Sequence, residues 1–237
     1  MGAGGLDHAG APQSGLALHA VNRIPHGRGL GSSAAATVAG LLLARGMISE
    51  PEALDDETVL QLATEFEGHP DNAAPALLGG PVLSWMQGPL ARAVPLRHAA
   101  DVLRPVVLLP TATLSTHRAR GLLPAEVPHA DAVFNASRAA LLVHALAGSP
   151  ELLMEATEDR LHQEQRAPGM PESVELMRVL RREGHPAVIS GAGPSVLVMA
   201  GRRRELAPLV RRFVRDPAGW RIAEVALREQ PSAPVVG

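Results

Sequence analysis

Three glycines at alternate positions, Gly27, Gly29 and Gly31, run into Ser32, Ser33 and a block of alanines in the segment IPHGRGLGSSAAATVAG, residues 24–40. Glycine loses more backbone freedom on folding than any other residue, so three in close succession imply an approach that side chains would block. A glycine turn between a strand and a helix N-terminus gathers backbone N–H groups at the positive end of the helix dipole and admits an oxyanion. The chemistry written into this segment is phosphate binding; a tight turn with no ligand is the plain alternative. Two familiar phosphate loops are excluded. A P-loop requires Gly-Lys-Ser/Thr, and all 22 cationic side chains here are arginine, with no lysine. The dinucleotide fingerprint requires a third glycine against the helix and an acid about twenty residues on. Here Ser32 holds the third slot and Glu50 ends no convincing second strand.

The elements that must carry such a loop can be read from the pattern. GLALHAVNRI (15–24) alternates like a strand. Ser32 or Ser33 can cap a helix running through AAATVAGLLLAR to Gly46, and a second helix spans 56–68. Pro70 opens a third, which its interior Pro75 shortens or kinks. PVLSWM (81–86) and RPVVLLP (104–110) read as strands, and helices are expected at 115–123, 129–147, 150–163 and 172–183. Residues 186–200 form two strand-like runs hinged on Gly191-Ala192-Gly193-Pro194. A basic-faced helix near 202–215 and a strand within 219–227 follow. Residues 1–13 are unpatterned and read as a mobile leader. The boundary near 98–104 separates an N-terminal domain (14–100) from a C-terminal one (101–237). The class is α+β.

Composition narrows the partners. A formal charge of −2 argues against nucleic acid or an acidic membrane held by bulk electrostatics. Aromatic residues make up only 2%, so stacking platforms for bases are nearly absent. There is no cysteine, which removes disulfides, thiolate metal sites and thiol nucleophiles. No apolar run has the length of a membrane span and no signal sequence is evident, so a cytoplasmic protein is expected. His69, His117 and His162 lack a metal spacing and read as local hydrogen-bonding groups.

The pattern Pro25-x-x-x-Gly29-Leu30-Gly31-Ser32-Ser33-Ala34-Ala35 resembles the phosphate loop of the GHMP kinases. EGHPDNAAPALLGG (67–80) is similar to the second motif of that family in its homoserine kinase form, and ISGAGPS (189–195) to the third. STHRARGLLP (115–124) and EDRLHQEQR (158–166) also resemble homoserine kinase segments, so the similarity runs from about residue 15 to about residue 200. The resemblance implies a two-domain α+β GHMP kinase fold. Its N-terminal domain is of the ribosomal protein S5 domain 2-like type, and its C-terminal domain is a ferredoxin-like layer. It also implies that ATP phosphorylates the hydroxyl of L-homoserine; another GHMP-type small-molecule kinase, or an inactive nucleotide-binding remnant, are the alternatives. A homodimer is compatible with it.

On this resemblance, Pro25, Gly27, Arg28, Gly29, Leu30, Gly31, Ser32, Ser33 and Ala34 bind ATP, with Gly191 and Gly193 closing beside the phosphates. Phosphoryl transfer requires a metal on the phosphate oxygens, and Mg²⁺ favours hard oxygen ligands, which suggests Ser33 and Glu67. Glu65 competes with Glu67, since the two flank Phe66 and only one can face the site. Asp71 and Asn72 would contact the substrate near its amino group and hydroxyl, Asp71 as a positioning group or a base. At the start of a helix, an aspartate there could also merely complement the dipole. Arg120 and Arg166 match the family's carboxylate-binding arginines, with surface charge as the alternative for each, and Thr116 would sit near the transferred phosphate. The family's strand-rich opening segment, with its Asn-Leu-Gly-Pro-Gly-Phe-Asp-like motif, has no counterpart ahead of the loop. The N-terminal domain is therefore expected to be incomplete, with a sheet edge and an apolar helix face uncovered.

Overall fold

The computed structural model describes residues 2–10, 15, 17–98 and 103–227. Packing divides the chain into two units. The first gathers the residues up to Ile24 together with Gly31–Leu96, and the second gathers Pro25–Leu30 with Arg97–Leu227. The division falls inside the glycine loop, after Leu30.

The first unit is built on α2 (Ser32–Met47). Its buried stripe of Ala34, Val38, Leu41 and Leu42 has the i, i+4, i+7, i+8 spacing of an amphipathic helix. Against that stripe lie Leu54, Val59 and Ala63, the last two on α3 (Asp56–Glu67), and Ala73 and Leu77 of α4 (Ala73–Leu78). Asp55 caps α3 by accepting the Thr58 N–H at 2.8 Å, and Gly68 closes it at φ +82°. Pro75 keeps α4 to six residues, as expected, but the helix starts at Ala73 rather than at Pro70. The expected leader is in part a helix, α1 (Gly2–His8). Leu6 is buried in the core, and Gly5 lets the backbone close on α2, because a Cβ there would lie 2.9 Å from that of Ala44. The strand expected at 15–24 is not formed among the described residues. Leu18 and Val21 are exposed, no strand lies alongside to accept the ladder, and Asn22 takes the Ile24 N–H with its own side chain at 2.8 Å.

The unit ends in a hairpin, β1 (Val82–Gln87) with β2 (Leu90–Pro95). The second strand is not anticipated by the sequence reading. Ala91 and Ala93 pack toward the core, whereas Leu83, Trp85, Leu90 and Val94 share the opposite face and are exposed.

The second unit contains β3 (Val106–Pro110), α5 (Thr116–Arg120), α6 (His129–Gly148), α7 (Leu153–Ala156), α8 (Pro171–Arg182), β4 (Ala187–Ile189), β5 (Val196–Val198), α9 (Arg203–Phe213) and β6 (Trp220–Glu224). The antiparallel sheet runs β4-β5-β3-β6, the split β-α-β order of a ferredoxin-like layer. Strand β3 is paired on both sides and buried along its whole length. Val174, Met177 and Leu180 of α8 and Leu206 and Val210 of α9 cover the sheet. The helix expected over 150–163 stops at Ala156. Thr157 turns its hydroxyl back to the Leu153 carbonyl at 2.6 Å, and the Asp159 carboxylate collects backbone N–H groups that a helix would need. Among the described residues no helix is long and apolar enough to cross a membrane.

Candidate active site

In the first unit the predicted metal pair is in contact. Ser33, in the first turn of α2, donates its hydroxyl hydrogen to Glu67 Oε1 at 2.7 Å, and Thr37, one turn further along α2, reaches the same oxygen at 3.5 Å. Glu67 is the last residue of α3, so the left-handed Gly68 ends the helix where its carboxylate meets α2. Glu65 turns the other way and accepts from Gln61 at 3.1 Å. A hydroxyl and a carboxylate this close are a hard-oxygen set suited to Mg²⁺, which takes one or two protein ligands and keeps water on the rest. Neither serine caps α2: Ser32 is buried and its oxygen accepts the Asn22 amide at 2.9 Å, and Gly31, at φ +67°, occupies the N-cap. A Cβ on Gly31 would come within 3.1 Å of Asn72 Oδ1, so the glycine is what admits Asn72 to the start of α2. Asn72 also faces Asp71 Oδ1 at 3.4 Å, and the Asp71 carboxylate meets the His69 ring. Ala34, expected to contact ATP, is fully buried.

In the second unit, residues 25–30 are stitched down at three points. The Gly27 carbonyl accepts Leu114 N–H at 2.9 Å, Arg28 Nη2 donates to the Thr111 carbonyl at 2.8 Å, and the Gly29 carbonyl accepts the Ser190 hydroxyl at 2.8 Å. Gly29 has no room for a side chain: at φ +69°, a Cβ would fall 2.0 Å from the Ser190 carbonyl oxygen. Gly191 and Gly193 belong to the same contact, each with positive φ, and the Gly193 N–H closes the turn on Ser190 at 2.8 Å. Pro25 and Leu30 flank this loop and are half-buried.

Thr116 and Arg120 stand one turn apart on α5, on one face of the helix. Arg166 donates to the Gly191 carbonyl at 3.1 Å, and its Nε is buried with no hydrogen-bond partner among the described residues. Burial lowers its pKa, the Asp159 carboxylate works against that, and the neighbouring Arg120 lowers it further. Two guanidiniums in mutual repulsion, one partly desolvated, form a place where an anion is favoured. Sequence reading does not single out Ser190, Thr37 or Asp159. A signal for Thr37 was available, four residues after Ser33 on one helix.

Residues 4–80 match the GHMP kinases N terminal domain and residues 138–218 the GHMP kinases C terminal domain. The first match begins within the segment read as a leader. A homoserine kinase from Streptomyces avermitilis is 58% identical over 196 residues, 82% of this chain and 64% of its own length. One from Mycolicibacterium paratuberculosis is 46% identical over 243 residues, 98% of this chain and 76% of its own length. The chain thus spans just under two thirds of the Streptomyces protein. The crystal structure of a homoserine kinase from Cytophaga hutchinsonii superposes with a TM-score of 0.72 at 24% identity, covering 88% of this chain and 69% of that one, a likeness of fold. By domain matches, by identity and by fold, the chain belongs to the GHMP kinase family, in its homoserine kinase branch.

Proposed function

We propose that the protein transfers the γ-phosphoryl group of ATP to the side-chain hydroxyl of L-homoserine, giving ADP and O-phospho-L-homoserine. The observation that carries the acceptor is Arg166, a partly desolvated guanidinium beside Arg120 with its Nε buried and unbonded. An amino-acid carboxylate fits that pair bidentately, whereas a neutral sugar has no use for both. The names of the relatives support the same acceptor.

The glycine loop from Gly27 to Gly31, with Gly191 and Gly193, would receive the phosphates on backbone N–H groups. Ser33 and Glu67 would hold Mg²⁺, whose charge neutralises the phosphate oxygens as the transfer proceeds. Thr116, a turn from Arg120, would donate its hydroxyl hydrogen to the phosphoryl group. Asp71 and Asn72 would hold the amino group and hydroxyl of the acceptor. We assign Asp71 a positioning role, because a loose transition state needs alignment more than a strong base and because the carboxylate is already engaged by His69.

The test is ADP release from MgATP with L-homoserine, run beside mevalonate and galactose on the folded 237-residue chain. Homoserine-dependent ADP, absent with the other two, is expected. Release with mevalonate or galactose instead, or with none of the three, overturns the assignment.

A further inference from the structure

The segment 157–166 breaks out of helical geometry to be organised around one carboxylate. Asp159 Oδ2 accepts the backbone N–H groups of His162 at 2.8 Å and Gln163 at 2.7 Å. Its Oδ1 accepts the Asn135 amide at 2.7 Å and faces the His162 ring Nδ1 at 3.0 Å. Only 12% of the side chain is exposed. Asn135, on α6, completes the exchange by accepting the Arg160 N–H at 2.9 Å. The next residues then lock outward: Gln163 Oε1 accepts the Ile189 N–H of β4 at 2.7 Å, Gln165 donates to the Arg160 carbonyl at 2.6 Å, and Arg166 N–H bonds the His162 carbonyl at 3.1 Å. The chain of contacts ends at the Arg166 guanidinium on Gly191.

We propose that Asp159 is the positioning residue for Arg166, closing residues 158–166 into a rigid loop that fixes where the guanidinium meets the acceptor's carboxylate. The acceptor's identity rests on the function proposed above. Asp159 acts by organising the loop that carries Arg166. A carboxylate is needed because backbone N–H groups face both oxygens, His162 and Gln163 on Oδ2 and Leu161 on Oδ1 at 3.3 Å, so an asparagine would turn its amide N–H₂ toward one of them in either orientation. Gln163 is the second anchor, since it ties the loop to the strand that leads into the Ser190–Gly193 turn. Displacement of a bidentate anchor by an ångström is worth up to about 100-fold in a reaction that depends on alignment.

The experiment compares wild type, D159N, Q163A and Q163E in steady-state kinetics and in hydrogen exchange. Asp159→Asn and Gln163→Ala should each raise the homoserine KM by about 10-fold or more while the MgATP KM stays within about twofold. Gln163→Glu keeps the acceptor for Ile189 N–H and should restore near wild-type KM. In an Arg166→Ala background, Asp159→Asn should raise KM no further, because both act through one guanidinium. An unchanged homoserine KM in folded D159N, or full additivity with Arg166→Ala, overturns the proposal. Should wild type itself fail to turn over homoserine, the functional reading falls, and exchange at the amides of residues 160–166 decides the loop. Faster exchange there in D159N upholds the clasp and unchanged exchange overturns it.

Discussion

Glu67 and Asp159 are both carboxylates in helix-to-loop positions, yet their surroundings give them opposite tasks. Glu67 is met by two hydroxyls and stays open to a cation, so Glu67→Ala should raise the Mg²⁺ concentration for half-maximal rate by at least about 10-fold, read by metal titration at fixed ATP. A rate insensitive to that change would remove Glu67 from the metal site. Asp159 is instead saturated by donors. Burial opposes its charge, but hydrogen bonds from His162, Gln163 and Asn135 outweigh it and hold the pKa well below the ordinary 3.8. Because the folded value is the lower one, the stabilisation is whole above the unfolded pKa and is lost as pH falls from there toward the folded value. Melting curves of wild type and D159N should therefore lie far apart at about pH 6 and begin to draw together as the pH falls below about 4. A gap independent of pH would show that the charge of Asp159 contributes nothing. At Arg120 the expectation is kinetic: Arg120→Ala should raise the homoserine KM with little change in kcat, the mark of lost ground-state binding. Ser33, Glu67 and both arginines were singled out as candidates by the motifs they sit in, since residue type alone leaves a solvated helix end or a surface charge open for the glutamate and the arginines. Ser190 was invisible for the opposite reason, since a serine that bonds a carbonyl 161 positions away leaves no local pattern.

Among the elements, the glycine loop was the most legible, and its stiffness comes from contacts rather than from composition. Gly29→Ala places a Cβ on the Ser190 carbonyl oxygen and forces a left-handed φ on a residue that resists it. We expect at least about 1–3 kcal/mol of lost stability in urea unfolding, together with loss of ATP binding. Unchanged stability would mean that the loop and the 190–193 turn do not touch. The short α4 followed from Pro75, and the strands around Gly191 followed from a glycine hinge inside two apolar runs. Elements whose boundaries depend on side-chain competition were misread. Segment 150–163 has helical spacing, but Thr157 and Asp159 take backbone groups away from it. Segment 15–24 has strand alternation, and alternation without a neighbouring strand yields no ladder. α1 was missed because Gly2–His8 earns its helix from one buried leucine and a close approach, neither of which periodicity registers.

At the scale of the whole molecule, the two units differ in how well they are covered. The ferredoxin-like sheet has β3 buried at its centre, whereas the β1–β2 hairpin exposes Leu83, Trp85, Leu90 and Val94 on one face. An apolar strand face of this kind promotes association between chains. Leu83→Lys should lower self-association in light scattering while changing stability by no more than about 0.5 kcal/mol. Undiminished association would place the adhesive surface elsewhere. The boundary expected near 98–104 rests on its place between two strand candidates, whereas the assignment of 25–30 to the second unit has no such sign in the sequence, since it rests on pairings with residues 111–114 and 190–193. Those pairings set an order of events at the ribosome. Residues 25–30 emerge first, and the serine that fastens Gly29 follows 161 residues later. At ordinary elongation rates that interval is roughly 8–30 seconds. Over that interval the loop gains its partners in two steps, Thr111 and Leu114 first and Ser190 last, so a nucleotide bound there as proposed would meet a fully fastened loop only on a nearly finished chain.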